Sequence, residues 1–224
     1  MTRRAILWDM DGTLIDSEPV HELALRTAIA KLGLEIPDGF NETLIGADGP
    51  KVFELLVTRT GLKLRLDEWL ALKWNHFREH STKILRRLPV SQAAERLAEQ
   101  NIPMAVVSNS SSEEVALGLR ATGLTEISNV IISRADVENG KPHPEGYLLA
   151  ATRLSCRLES CLVVEDSLLG AKAGIAAGRS VLYHPQAPLN DAQPLPKGVR
   201  YLAPDADPMQ TITHFLTSGT LTET

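Results

Sequence analysis

Short apolar runs that recur between helical patterns constrain the fold of this chain most strongly. They lie at residues 5–8, 104–107, 130–132, 161–164 and 181–183. Continuous apolar runs of this length are typical of strands buried on both faces of a sheet. Helical patterns lie between them at residues 91–100, 113–122, 144–154 and 168–177. The alternation therefore predicts an α/β fold in which helices cover both faces of a parallel sheet.

The stretch from residue 17 to residue 85 interrupts this alternation. It offers no strand-like apolar run but has helical patterns at residues 20–32, 52–61 and 67–79. Connections in α/β sheets are normally short, so a gap of this length indicates an insertion. We therefore predict a core formed by residues 1–16 and 86–224, and an all-helical cap formed by residues 17–85.

Charge and cysteine content exclude several classes of partner. The chain has 23 Lys and Arg against 28 Asp and Glu, and its net charge of −5 gives no general attraction to nucleic acid or anionic lipid. The first apolar run stops at Asp9, so we expect neither export nor membrane insertion. Two cysteines are too few for a disulfide scaffold, which favours the cytoplasm. We expect a monomer, although the sequence leaves the oligomeric state open.

Two carboxylates follow the first predicted strand, those of Asp9 and Asp11. Open α/β sheets bind ligands at the carboxyl ends of their strands, and Gly12 permits the sharp turn that brings both side chains toward one centre. Such a pair can hold Mg²⁺, which prefers oxygen ligands, and can divide the roles of nucleophile and acid or base. Taken alone, the same residues are equally typical of a strand that ends in an ordinary turn.

Later strand ends carry further polar residues. Ser108 and Asn109 follow the second predicted strand, and Lys141 lies beyond the third. Glu165 and Asp166 follow the fourth. Singly, each is a common turn, surface or helix-capping residue. Together at one sheet edge they supply a hydroxyl, amides, an ammonium and two carboxylates, which predicts a phosphate site beside a cation.

Four segments, DMDGT, VVSNS, GKPHP and VVEDS, resemble the four motifs of the haloacid dehalogenase-like superfamily of phosphotransferases. The segments DSEP, at residues 16–19, and DSLLGAKAGIAAG, which starts at Asp166, resemble its β-phosphoglucomutase-like branch. The resemblance extends over essentially the whole chain. It implies an α/β fold with a Rossmann-like parallel sheet core and an inserted all-helical cap.

The resemblance also implies roles for the first two carboxylates. Asp9 would attack phosphorus and form an aspartyl phosphate. Asp11 would protonate the leaving oxygen and later deprotonate water. The dehalogenases of the superfamily need no acid at this position, so Asp11 argues against dehalogenation.

The remaining motif residues would bind the phosphoryl group and a metal ion. By the resemblance, Lys141, Ser108 and the backbone amide of Asn109 contact the phosphoryl oxygens. The cofactor implied is Mg²⁺, and its predicted ligands are Asp9, the backbone carbonyl of Asp11, and Asp166, with Glu165 close by.

Three cap residues are candidates for substrate contact. Glu18 and His21 are three residues apart on a predicted helix and share a face, and relatives of the branch place a similar pair over the active site. A surface glutamate and an exposed histidine are the ordinary alternative. Trp74 either packs in the cap or lines a sugar pocket.

The acceptor of the phosphoryl group depends on the cap. The mutase that names the branch has an Arg three residues after a cap Gly, whereas this chain has Gly49 three residues after Gly46. Without that arginine to bind a second phosphate, water becomes the expected acceptor of the phosphoryl group. We therefore predict an Mg²⁺-dependent phosphatase that acts on a small phosphorylated metabolite, a sugar or polyol phosphate. A β-phosphoglucomutase-like hexose-phosphate mutase is one alternative, and a non-catalytic binding protein that keeps the fold is another.

Overall fold

A six-stranded parallel sheet forms the centre of the protein. The computed structural model describes residues 3–37, 39–40, 49–189 and 195–221. Its strands are β1 (Ala5–Trp8), β2 (Ile15–Asp16), β3 (Leu85–Arg86), β4 (Met104–Val107), β5 (Val130–Ile132), β6 (Cys161–Glu165), β7 (Ser180–Tyr183) and β8 (Val199–Tyr201). The order of the large sheet is β5-β4-β1-β6-β7-β8. The strand that begins the chain therefore lies near the middle, with β4 and β6 on its two sides.

Helices cover both faces of this sheet, as the alternation predicts. The helices are α1 (Glu18–Lys31), α2 (Gly49–Thr60), α3 (Leu66–His80), α4 (Val90–Glu99), α5 (Ser112–Thr122), α6 (Glu145–Arg153), α7 (Leu168–Ala176) and α8 (Met209–Ser218). Ile6 and Trp8 of β1 belong to the apolar cluster that includes α4, α5 and α8. Ala5 and Leu7 belong to the cluster that includes α6 and α7. Alternate residues of one strand thus pack against opposite layers.

The three helices between β2 and β3 have an apolar core of their own. Leu25 of α1, Leu56 of α2 and Trp69 of α3 are buried together in it. The chain enters and leaves this helical unit through β2 and β3, which form a two-residue antiparallel ladder. The fold class is therefore as predicted, a parallel-sheet core with an inserted helical cap.

The structure confirms the five predicted strands and adds elements that the sequence pattern did not reveal. Leu85 lies in β3, so the prediction of an all-helical segment from residue 17 to residue 85 is wrong at residue 85. A two-residue ladder needs no apolar run, and β8 is a half-buried edge strand with a central Arg200, so neither carried the expected signal. No helix in the described ranges is long and apolar enough to cross a membrane.

Candidate active site

Four segments at the carboxyl edge of the sheet bring the predicted polar residues together. In the sheet register, Trp8 of β1 pairs with Val106 of β4 and with Val164 of β6. The residues that follow these strands therefore lie side by side. The backbone N–H of Asp9 extends the ladder by donating to the Val164 carbonyl at 3.0 Å. The segment after β5 approaches the same edge and adds Lys141.

Asp9 is a buried carboxylate with one oxygen engaged. Its Oδ1 accepts a hydrogen bond from the Lys141 ammonium at 2.5 Å. Its Oδ2 is buried and has no hydrogen-bond partner among the described residues. Burial, then the charge of Glu165, raises the pKa of Asp9 to about 7, although Lys141 opposes the shift. The free oxygen is available to a cation or to an electrophile.

Lys141 lies between two carboxylates in the floor of the site. Its Nζ also donates to Glu165 Oε1 at 2.7 Å and to the Val107 carbonyl at 2.9 Å. Burial would lower the pKa of Lys141, but Asp9 and Glu165 raise it, so the ammonium stays charged. The buried Tyr147 hydroxyl donates to the same Glu165 oxygen at 2.6 Å. Lys141 and Tyr147 together fix the position of Glu165.

Hydroxyl groups hold Asp11 in a defined orientation. Ser17 donates to Oδ1 at 2.5 Å, while Ser108 and Ser110 donate to Oδ2 at 3.0 and 2.9 Å. His21 Nε2 lies 3.7 Å from Oδ1. Burial would raise the pKa of Asp11, but these polar neighbours, His21 first, lower it to about 2. Asp11 is therefore an ionised carboxylate in this arrangement, and Ser108, a predicted phosphate-binding residue, contacts it.

Asn109 organises the loop that carries Lys141. Its Oδ1 accepts from the Lys141 backbone N–H at 2.8 Å, and its Nδ2 donates to the Lys141 carbonyl at 3.3 Å. The side chain thus joins the loops after β4 and β5. Its backbone amide is the group that the family resemblance assigns to phosphate.

Carboxylate oxygens of Asp9, Glu165 and Asp166 lie within 4.8 Å of one another and could hold a metal ion. Burial and the charges of Asp9 and Glu165 raise the pKa of Asp166 well above its usual range. This crowding of negative groups, with the unpartnered Asp9 Oδ2, fits a bound divalent cation. The Asp11 carboxylate lies outside this cluster because the serines bind it. Asp11 could therefore contribute only its backbone carbonyl to a metal ion.

The turn after Asp11 is fitted closely against Asp166. Gly12 has φ +82°, and a Cβ there would collide with the Asp166 carboxylate. The Arg87 guanidinium, which follows β3, donates to the Gly12 carbonyl. It also donates to the carbonyls of His184 and Pro185, at 3.0 and 3.1 Å. Arg87 therefore joins the cap linker, the turn after β1 and the segment after β7.

The three candidate cap residues lie where α1 and α3 meet the core. The His21 ring stacks on Phe77 with 4.3 Å between ring centroids, and its Nδ1 is buried without a partner among the described residues. Glu18 is half-buried one turn before His21. Trp74 is half-buried, stacks on Phe77 at 6.2 Å, and packs against the core cluster. Trp74 thus packs at the cap–core interface.

Several residues of the site were not predicted from the sequence. Ser17, Ser110, Tyr147 and Arg87 all hydrogen-bond to the predicted residues or to the turn between them. Ser110 lies within the quoted VVSNS segment, and it could have been found by its spacing from Ser108. Ser17 lies within the quoted DSEP segment, whereas Tyr147 and Arg87 belong to a helix interior and a linker, where sequence spacing gives no signal. Of the segment compared with the mutase, residues 46–48 lie outside the described ranges.

Comparisons with known proteins identify the family of this chain and similar proteins. The sequence model of the haloacid dehalogenase-like hydrolases matches residues 3–178. The phosphorylated carbohydrates phosphatase of Thermotoga maritima is 28% identical over 192 residues, which cover 85% of this chain and 89% of that protein. Pyrophosphatase PpaX of Oceanobacillus iheyensis is 28% identical over 173 residues, which cover 75% and 76%. The crystal structure of CbbY from Rhodobacter sphaeroides in complex with phosphate is similar with a TM-score of 0.80 and 25% identity, covering 90% of this chain and 94% of that chain.

Proposed function

The chain belongs to the haloacid dehalogenase-like hydrolase family and is a phosphoric monoester hydrolase, and we propose that its substrates are small phosphorylated metabolites, specifically sugar or polyol phosphates. Hydrolysis would proceed through an aspartyl phosphate on Asp9. The observation that carries the proposal is the Asp9 carboxylate, with Oδ1 held by Lys141 and Oδ2 free of any described partner. The name of the Thermotoga maritima relative supports the substrate class.

In the first step, an oxygen of Asp9 bonds to phosphorus as the bond from phosphorus to the leaving oxygen breaks. Asp11 gives a proton to that oxygen, so the alcohol departs neutral. A bound phosphate group repels the Asp11 carboxylate and favours its protonated form. Its charge therefore raises the pKa of Asp11 above the value of about 2 that Asp11 has without phosphate. Lys141, Ser108 and the amide of Asn109 would bind the phosphoryl oxygens.

In the second step, water attacks the phosphorus of the aspartyl phosphate. Asp11, now ionised, takes the proton of that water, and the bond between phosphorus and Asp9 breaks to release inorganic phosphate. Ser17 and Ser110 hold the Asp11 carboxylate in position for this second role. One carboxylate thus acts as acid and then as base.

Mg²⁺ is the proposed cofactor. Asp9, Asp166 and the Asp11 backbone carbonyl would hold it, with Glu165 adjacent, and the cluster contains no His or Cys that would favour zinc. When bound, the ion neutralises negative charge at the phosphoryl group. Lys141 remains the cation that the chain itself provides.

Phosphate release from a panel of esters in the presence and absence of Mg²⁺ tests the proposed function. The panel contains glucose 6-phosphate, fructose 1-phosphate, glycerol 3-phosphate, inorganic pyrophosphate and β-glucose 1-phosphate. We expect hydrolysis of sugar or polyol phosphates that stops after EDTA treatment and returns with Mg²⁺. Activity that survives complete chelation would contradict the proposed metal.

The same panel separates the alternatives. Conversion of β-glucose 1-phosphate to glucose 6-phosphate without phosphate release would identify a mutase. Pyrophosphate as the preferred substrate would place the activity with that named for PpaX. Absence of Mg²⁺-dependent turnover on every ester would favour a binding protein.

We also propose that residues 17–85 act as a movable cap that selects the leaving group. Residues 18, 21 and 74 belong to α1 and α3, whereas the phosphate-binding residues belong to the sheet edge. Glu18→Ala, His21→Ala and Trp74→Ala should therefore change the ranking of sugar phosphates more than the hydrolysis of p-nitrophenyl phosphate, which makes few cap contacts. The measurement is kcat/KM over the panel for each variant.

A uniform loss would contradict this role for the cap. If each substitution slowed all esters by one common factor, the ranking would be unchanged and these residues would not select the substrate. Asp67→Asn serves as the control, because Asp67 is an exposed carboxylate at the start of α3 that pairs with Arg65 at 2.8 Å.

A further inference from the structure

We propose that the leaving-group side of this site selects phosphate esters whose leaving group carries no second negative charge. The inference rests on the proposed function and specifies its substrate class. Monophosphates of neutral polyols and sugars would be accepted, whereas bisphosphates and phosphorylated acids would be disfavoured. Charged groups that surround Asp11 from the cap and from α5 produce this preference.

The position of Asp11 defines which groups face the leaving group. Asp11 is the proposed acid for the leaving oxygen, so the leaving group must lie beside it. His21 of α1 approaches Asp11 to 3.7 Å, and Glu18 precedes His21 by three residues on the same helix. Both His21 and Lys73 act on the pKa of Glu18, which burial raises. Lys73 therefore lies close enough to interact with this group of residues.

A carboxylate of the core neutralises the ammonium of Lys73. Lys73 Nζ of α3 lies 3.5 Å from Glu114 Oε1 of α5, and the two side chains are only 16% and 15% exposed. Glu114 is held in place by the Ser111 backbone N–H, which donates to its Oε2 at 3.0 Å. Burial would raise the pKa of Glu114, but Lys73 and then His21 lower it. The pair thus joins cap to core and leaves no unopposed positive charge at Lys73.

The surrounding charge disfavours a second anion. Glu114 contacts the Lys73 ammonium, and Glu18 lies close enough to Lys73 and to Asp11 for both charges to act on its pKa. Residues 38 and 41–48 contain acidic residues but no Lys, Arg or His, so wherever they lie they add no cation. Lys141 contacts Asp9 and Glu165 on the phosphate side. A carboxylate or phosphate on the leaving group would meet carboxylates, and like charges brought together weaken binding.

A neutral hydroxyl meets a better environment. His21 Nε2 lies 3.7 Å from Asp11 Oδ1, and it can exchange a hydrogen bond with a hydroxyl group that lies beside Asp11. Carboxylates such as Glu18 can accept from sugar or polyol hydroxyls. The same groups that repel an anion are therefore suitable partners for an uncharged, hydroxyl-bearing leaving group.

Two esters that differ in one end group test the inference. Glycerol 3-phosphate and 3-phosphoglycerate share a three-carbon skeleton, and a hydroxymethyl group in the first replaces a carboxylate in the second. We expect glycerol 3-phosphate to bind at least about tenfold more tightly, since a modest electrostatic penalty gives that factor. Dissociation constants are measured by calorimetry with Mg²⁺ in the Asp9→Asn background, where turnover is absent. Fructose 1-phosphate and fructose 1,6-bisphosphate repeat the comparison with a larger leaving group.

Two substitutions should change the ratio of the dissociation constants of 3-phosphoglycerate and glycerol 3-phosphate in opposite directions. Glu114→Gln keeps the hydrogen bond to Ser111 and releases the Lys73 ammonium, so the preference for the neutral ester should fall about tenfold. Lys73→Met leaves the carboxylates unopposed, so the preference should rise. Asp67→Asn removes the same charge as Glu114→Gln at an exposed position and should leave the ratio unchanged.

Three results would overturn the inference. The first is equal or tighter binding of 3-phosphoglycerate by the parent protein. The second is a Lys73→Met variant that loses affinity for the anionic ester alone, because Lys73 would then bind that anion. The third is an equal shift in Glu114→Gln and Asp67→Asn. Failure of the proposed function gives a different result. The parent protein, with Asp9 intact, would then release no phosphate from either ester, while the ratio of the two dissociation constants could still be measured.

Discussion

Asp9→Asn is expected to abolish turnover, with a loss of about four orders of magnitude or more in kcat, because the amide keeps the shape of the side chain but cannot form the aspartyl phosphate. The fold should persist. The amide oxygen can still accept from Lys141, and the substitution removes one of three crowded carboxylates. Phosphate release and thermal unfolding, measured on the same preparation, give both results.

An exposed carboxylate provides the control for this variant. Asp205→Asn removes a negative charge outside the site and should leave both kcat and the unfolding midpoint unchanged. Substantial activity in a well-folded Asp9→Asn protein would exclude Asp9 as the nucleophile. An unfolded variant would show instead that the Asp9 carboxylate is needed for stability.

Lys141→Met should impair both catalysis and stability. The Lys141 ammonium is the cation between Asp9 and Glu165, and the side chains of all three residues are at most 10% exposed. Removing one partner of a buried ion pair leaves uncompensated charge, which costs about 3–5 kcal/mol of unfolding free energy. Phosphate binding would lose its fixed positive charge, and kcat/KM should fall by about two orders of magnitude or more.

Urea unfolding and kcat/KM measure these two effects. Lys172→Met is the matched control, because Lys172 is exposed on α7. Mg²⁺ should restore part of the lost stability in Lys141→Met by supplying positive charge to the same carboxylates. A variant that unfolds within about 1 kcal/mol of the parent and keeps its activity would show that the ion pair contributes little.

The central sheet could be predicted from the sequence because strands buried on both faces appear there as continuous apolar runs. β1 and β4 are continuous apolar runs, and their ends fix where Asp9 and Ser108 must lie. Parallel strands bring such ends to one edge, so the strand pattern alone groups residues that are far apart in the chain. The grouping of Asp9, Glu165 and Asp166 follows from that rule, whereas Lys141 lies well beyond the end of β5 and joins the group through its loop.

Contacts made across elements could not be predicted in the same way. The pairing of Lys73 with Glu114 depends on how α3 packs against α5, and no spacing along the chain encodes it. Tyr147 reaches Glu165 from the buried face of α6, where its sequence context is that of any core aromatic residue. Arg87 follows a two-residue strand that has no hydrophobic pattern. These residues position the site through contacts that arise only when the elements pack together.

Detection of the phosphorylated enzyme tests the central claim most directly. Asp11→Asn is mixed with Mg²⁺ and p-nitrophenyl phosphate, whose leaving group departs without protonation, and acid-quenched peptides are examined by mass spectrometry. Because hydrolysis of the intermediate needs Asp11 as the base, we predict that the peptide containing Asp9 accumulates one phosphoryl group that hydroxylamine removes. The double variant Asp9→Asn with Asp11→Asn should remain unmodified. A phosphoryl group on another residue, or none on Asp9 while p-nitrophenol is released, would contradict the aspartyl-phosphate mechanism.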